Sequence, residues 1–132
     1  MASRSLDDLA EPVKTAALDF LYATKEAGLE VLIYCTSRPL AEQQTLYAIG
    51  RTVPGKIVTG ARPGESLHNP DAWGKSWAFD CVPMLHGKAM FNDLDLVQKM
   101  GLIGESVGLE WAGRWRGRLR ERLHFQIQRG KK

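Results

Sequence analysis

Three residues spread along this 132-residue chain have the types and the company that metal chemistry needs: His68, Asp80 and His124. His68 stands in ESLHNPDAWGKSW, a polar, turn-prone stretch, and Asp80 interrupts the apolar run WAFDCVPM. A lone carboxylate among buried apolar residues loses its hydration, a cost that a cation removes. Two imidazoles and one carboxylate are three donors suited to Zn²⁺, with a fourth position left for water. Glu121, three residues before His124 in Glu-Arg-Leu-His, is the candidate general base for such a water. This is not the helical His-Glu-x-x-His pattern, because the acid enters from a turn that feeds a strand. Each residue also has a plainer reading: a solvent-facing loop histidine, a Glu121 paired with Arg118 or Arg122, an Asp80 bonded to a nearby arginine.

The elements that must position these groups are legible from periodicity. Ser5 is a good N-cap, with Asp7 and Asp8 in the turn where the helix dipole favours acids. Leu6, Leu9, Val13, Ala16, Ala17, Phe20 and Leu21 recur at helical steps, which predicts one amphipathic helix closed by Gly28. Residues 31–35 read as a central strand, and Pro39 opens a second helix that Gly50 closes. Residues 51–75, rich in glycine and proline, form a long loop of the kind that is usually functional. A strand over 77–84, a helix over 93–107 and an alternating strand over 124–128 complete the order. His86 reads as a turn residue. The fold expected is α+β, a small, mostly antiparallel sheet flanked by about three helices, with the long loop over the zinc cleft. Residues 1–132 are read as a single domain ending in a basic tail at 129–132.

Composition bounds the partners. Hydrophobic content of 44% and charged content of 25% are those of an ordinary globular protein, and the longest apolar run is too short for a membrane helix. No secretory signal is legible at the N-terminus, so the expectation is a cytoplasmic product. The net charge is +3, but from residue 114 onward eight lysines and arginines face one acid, Glu121, which points to an anionic partner. No reader motif for nucleic acid is present, and a monomer without nucleic acid is expected. Cys35 and Cys81 lie in apolar strands and read as buried free thiols; without a CxxC pair there is no zinc knuckle.

The stretch from residue 66 to 80, followed by ERLHFQ, resembles the zinc peptidases that cut peptidoglycan stem peptides: the D-alanyl-D-alanine carboxypeptidases and the L-alanyl-D-glutamate endopeptidases of phage endolysins. Their Ser-x-His, Ala-x-Asp and later acid-x-x-His pattern matches Ser66, His68, Ala78, Asp80, Glu121 and His124. TSRPLAEQQTLYAIGR resembles the family's arginine-containing segment, with Arg38 and Gln43 in place, and GLEWAGRW resembles its Gly-Leu-Glu-Trp element. The likeness spans about residues 31–128 and is nearest to the endolysin branch.

The resemblance implies His68, Asp80 and His124 as zinc ligands and Glu121 as the base that takes a proton from the attacking water and delivers it to the leaving amine. It implies Arg38 as a holder of an oxyanion or a substrate carboxylate, and Ser66 as an orienting hydrogen-bond partner. Gln43, Trp73 and Trp111 are cleft candidates; Trp77 and Trp115 could wall the cleft too, with Trp77 reading better as core. The implied substrate is the peptidoglycan stem peptide, with an L-alanyl-D-glutamate cut in a phage or prophage lysin that leaves the host bacterial cytoplasm to reach the wall. A D-alanyl-D-alanine carboxypeptidase and a metal-free basic binding protein are the alternatives. The chain departs from the family in spacing: Asp80 follows His68 by twelve residues, where seven is usual. Those extra residues are expected to enlarge the loop at the cleft rim. The acid before the last strand is also one methylene longer than the usual aspartate.

Overall fold

The computed structural model describes residues 2–117 and 120–129. Arg118 and residues 130–132 of the basic tail lie outside the described residues. Three helices, α1 (Glu11–Glu26), α2 (Leu40–Ala48) and α3 (Leu94–Ser106), accompany five strands: β1 (Glu30–Cys35), β2 (Ala78–Leu85), β3 (Lys88–Ala89), β4 (Glu110–Trp111) and β5 (His124–Gln126). The strands form one sheet in the order β1-β2-β5-β4, with β3 hairpinned onto β2, and every pairing is antiparallel. The class is the expected α+β. Strands β3 and β4 escaped the sequence reading because two residues are too few to show alternation.

The N-terminal helix differs from expectation. Ser5 Oγ caps only a single 3₁₀ turn, Leu6–Asp8, and α1 begins after an extended Leu9 and Ala10. A continuous helix would need the N–H of residue 12 to bond the Asp8 carbonyl, and Pro12 has none. That carbonyl accepts instead from the Ser76 N–H at 2.8 Å. At its other end α1 stops as expected: Gly28 takes φ +74° and the Leu29 N–H closes back on the Thr24 carbonyl.

Alternation along β2 separates core from site. Phe79 and Cys81 point into the core, where Phe20 of α1, Phe79 and Phe125 pack with ring centroids 5.1–5.9 Å apart. Val13, Ala16 and Ala17 of α1 and Val97 and Met100 of α3 complete that layer. Asp80, between Phe79 and Cys81, takes the other face. Two glycines permit close packing against this core: a Cβ at Gly104 would sit 2.3 Å from the Phe125 ring, and one at Gly101 would sit 2.2 Å from Trp111. Helix α2 stands apart from the core; Gln43 is its buried residue. At the tip of the β2–β3 hairpin, His86 and Gly87 both have positive φ, the turn role expected of His86. Cys35 and Cys81 are buried free thiols.

Candidate metal centre and cleft

The sheet ladder itself brings two of the predicted ligands together. Asp80 on β2 and His124 on β5 are directly opposed partners. The β1–β2 register shifts between Ile33 and Cys35, so that Cys35 also stands opposite Asp80. His68 arrives from the loop, held by its own backbone: its carbonyl accepts from the Arg38 N–H at 2.8 Å, and Ser66 Oγ accepts from the His68 N–H at 3.2 Å. Ser66 therefore orients the histidine through the main chain.

Three donor atoms converge. His68 Nε2 lies 3.0 Å from Asp80 Oδ1 and 3.1 Å from His124 Nδ1, and His124 Nδ1 lies 3.2 Å from Asp80 Oδ1. The remaining ring nitrogens decide what those atoms carry. His68 Nδ1 lies 2.9 Å from the Thr36 carbonyl, which can only accept, so Nδ1 bears the hydrogen. His124 Nε2 lies 2.8 Å from Gln126 Oε1, and that amide is oriented by donating from Nε2 to Glu110 Oε1 at 3.2 Å. His124 Nε2 therefore bears its hydrogen. In the neutral rings, two lone pairs and a carboxylate oxygen face one another with no proton between them. That arrangement is repulsive without positive charge, and a donor set with such outer bonds could hold a metal ion.

Electrostatics repeat the demand. Burial opposes a charged His68, but the Asp80 carboxylate and the Cys35 sulfur outweigh it and push the imidazole up to about 10. Burial likewise opposes ionisation of Asp80, and bonds from His124 and His68 overcome it, holding the carboxyl well below its usual range. The cluster draws a proton when no cation holds it. Cys35, His68 and Asp80 also bring ligand atoms within 4.8 Å of one another. The Cys35 sulfur, however, lies 3.7 Å from His68 Nδ1, the nitrogen already committed to Thr36. The triangle with His124 is the tighter set. Nothing in the sequence spacing flagged Cys35 as a neighbour of the site.

A cleft of about 420 Å³ opens over the cluster, lined among others by Arg38, Ser66, His68, Trp115, Glu121 and His124. Glu121 is exposed there; its backbone is fixed by bonds to Ala112 and His124. Among the described residues its carboxylate has no hydrogen-bond or ion-pair partner. Arg38 donates from Nη1 to Gln43 Oε1 at 3.0 Å, and its Nη2 lies 3.8 Å from Asp80 Oδ2.

The other cleft candidates lie elsewhere. Gln43 is fully buried and lines no part of the cleft; it orients Arg38 and donates to the Ala61 carbonyl at 2.7 Å, tying down the cleft-lining loop. Trp73 is 83% exposed and outside the cleft. Trp111 is buried, with its indole N–H on the Arg122 carbonyl. Its neighbour in the motif, Trp115, is the cleft tryptophan, 5.7 Å from the His124 ring. Glu110 was missed altogether. It accepts from Trp115 Nε1, Gln126 Nε2 and Gln128 Nε2, and these bonds overcome burial to hold its carboxyl low.

The extra residues between His68 and Asp80 do not widen the rim. Asp71 gathers them: Oδ1 accepts from the Trp73 and Lys75 N–H groups and Oδ2 from the Trp77 indole. Ser76 and Lys75 then bond the backbone of Asp8 and Asp7, so this loop clamps the N-terminal segment.

No protein-family model matches the chain. The chain is 33% identical over 130 residues to the peptidoglycan L-alanyl-D-glutamate endopeptidase CwlK of Bacillus subtilis (strain 168), an alignment covering 91% of this chain and 74% of that protein. Its fold is like that of the L-Ala D-Glu endopeptidase ChiX of Serratia marcescens, with a TM-score of 0.67 and 17% identity over 96% of this chain and 88% of that one. By its sequence the chain belongs to the D-alanyl-D-alanine carboxypeptidase and L-alanyl-D-glutamate endopeptidase family.

Proposed function

We propose that the chain is a zinc-dependent peptidoglycan endopeptidase that cuts the L-alanyl-D-glutamate bond of stem peptides, acting as a phage or prophage lysin. The observation that carries this reading is the triangle of His68 Nε2, Asp80 Oδ1 and His124 Nδ1, whose outer hydrogen bonds leave three donors facing one point. The relative CwlK, named for this activity, supports the choice of bond. Residues 1–132 work as one peptidase domain and one monomer, released from the host cytoplasm onto the wall. No helix among the described residues is long and apolar enough to cross a membrane.

The three donors fit zinc, which when bound supplies a polarised water and a Lewis acid at the scissile carbonyl. His68, Asp80 and His124 would hold it, and Thr36 and Gln126 keep the two rings in the tautomer that turns a lone pair toward it. Glu121 takes the proton of the attacking water and returns it to the nitrogen of the departing D-glutamate. Arg38 pairs its fork with the charge that develops on the carbonyl oxygen or with a substrate carboxylate. Trp115 packs against the peptide stem, and Glu110 fixes both that ring and Gln126.

The test is digestion of purified peptidoglycan with mass spectrometry of the products, with and without chelator. New L-alanine C-termini and D-glutamate N-termini, abolished by chelator and restored by zinc, are expected. Release of free D-alanine alone would replace the endopeptidase reading with a carboxypeptidase one, and activity indifferent to chelator would remove the zinc.

A further inference from the structure

Residues 111–117 and 120–122 stand between two cavities. Trp115, Glu121 and His124 line the cleft, while Trp111, Arg114, Arg120 and Arg122 line a second cavity of about 400 Å³ closed on its far side by α3. Arg120 and Arg122 flank Glu121 in sequence and serve the opposite cavity from it. Among the described residues, no acid lines this second cavity. Arg114 is held in place by two bonds to the Glu105 carboxylate, and Arg120 Nε donates to the Trp115 carbonyl at 3.1 Å. Among the described residues, neither Arg120 nor Arg122 has a carboxylate partner. The result is a concave site with uncompensated positive charge over an indole floor, on the back of the wall that carries Glu121.

We propose that this cavity binds a phosphate group of an anionic wall polymer and anchors the enzyme beside the peptide it cuts. The proposal rests on the peptidoglycan reading above and extends it to a second recognition site. Guanidinium forks pair bidentately with oxyanions, and a tetrahedral phosphate offers oxygens to several forks at once, where a planar carboxylate occupies one. The shared wall gives the site its use: a polymer held by Arg120 and Arg122 lies one residue from the acid that serves the cleft.

The test measures binding of fluorescently labelled poly(glycerol phosphate) to the zinc-loaded full chain by anisotropy, alongside hydrolysis of a small soluble stem peptide. The parent is expected to bind the polymer, more weakly as salt rises. Arg120→Gln/Arg122→Gln is expected to weaken binding by about tenfold or more, a loss of about 1.4 kcal/mol, while small-peptide hydrolysis and Tm stay at parental values. Arg122→Lys, which keeps the charge without the fork, is expected to fall between. Should the double variant unfold, Arg122→Gln alone carries the test. Equal polymer binding by parent and a folded variant overturns the proposal, as does polyglutamate binding as tightly as the phosphate polymer. A parent that binds polymer but leaves the peptide uncut refutes the endopeptidase reading instead, so the two failures are distinct.

Discussion

The floor and the rim of the cleft are built in opposite ways. On the floor, His68 and His124 are buried, each anchored by a hydrogen bond from its outer ring nitrogen, and Asp80 is set opposite His124 by the sheet ladder. On the rim, Glu121 has a fixed backbone and an exposed carboxylate. The contrast fits the roles proposed for the two regions: metal ligands need donors preorganised within tenths of an ångström, whereas an acid that moves a proton between two atoms needs reach. Glu110 joins the two regions, bonding the floor through Gln126 and the rim through Trp115.

Substitutions should separate these regions in order of severity. Asp80→Ala removes the anionic corner of the floor; bound zinc, measured by elemental analysis, is expected to fall from one per chain to near zero, with hydrolysis lost. Unchanged zinc content would take Asp80 out of the ligand set. Glu121→Gln should keep the metal and lower kcat by about 10²–10⁴-fold, the usual worth of a general base; parental lysis by this variant would contradict the assigned role. Glu110→Gln should weaken zinc affinity by about 10–100-fold, as loss of outer-shell partners does. If affinity holds while KM rises, Glu110 serves Trp115 and the rim alone.

The smallest effect belongs to the clamp outside the cleft. Asp71→Asn removes the acceptor for the Trp77 indole, so Tm should drop by a few degrees while zinc binding is unaltered. Burial works to raise the Asp71 carboxyl, but the Trp77 indole and the backbone N–H groups of Lys75 and Trp73 prevail and hold it low. Its folded value lies below the unfolded one, so its stabilisation is complete above the ordinary carboxylate range and is lost as pH falls through the folded value. The Tm difference between parent and variant should therefore shrink as pH is lowered below about 4. A gap that stays constant down to pH 2 would mean the effect is not electrostatic.

Legibility tracked how local each signal was. Asp80 stood out because a carboxylate in an apolar strand is costly wherever that strand packs. His124 followed from the alternation of the last strand, and α3 from its periodicity. The N-terminal helix was misread because its breaker is Pro12 acting with Ser76, a partner far along the chain. Gln43 and Trp111 were placed in the cleft, but a motif position does not say which way a side chain faces. The loop after His68 was expected at the rim, and Asp71 instead turns it toward Asp7 and Asp8.

By itself the sequence determined which residue types were available for metal chemistry, their order and the class of fold, because buried charge and hydrophobic period are properties of the chain. Tertiary structure decided which nitrogen of each imidazole faces the donors, which tryptophan reaches the cleft and which carboxylate supports it. Those outcomes depend on Thr36, Gln126 and Glu110, whose contacts with the site are set by strand pairing and loop packing across the sheet, and hydrogen-bond direction exists only once such partners are within about 3 Å.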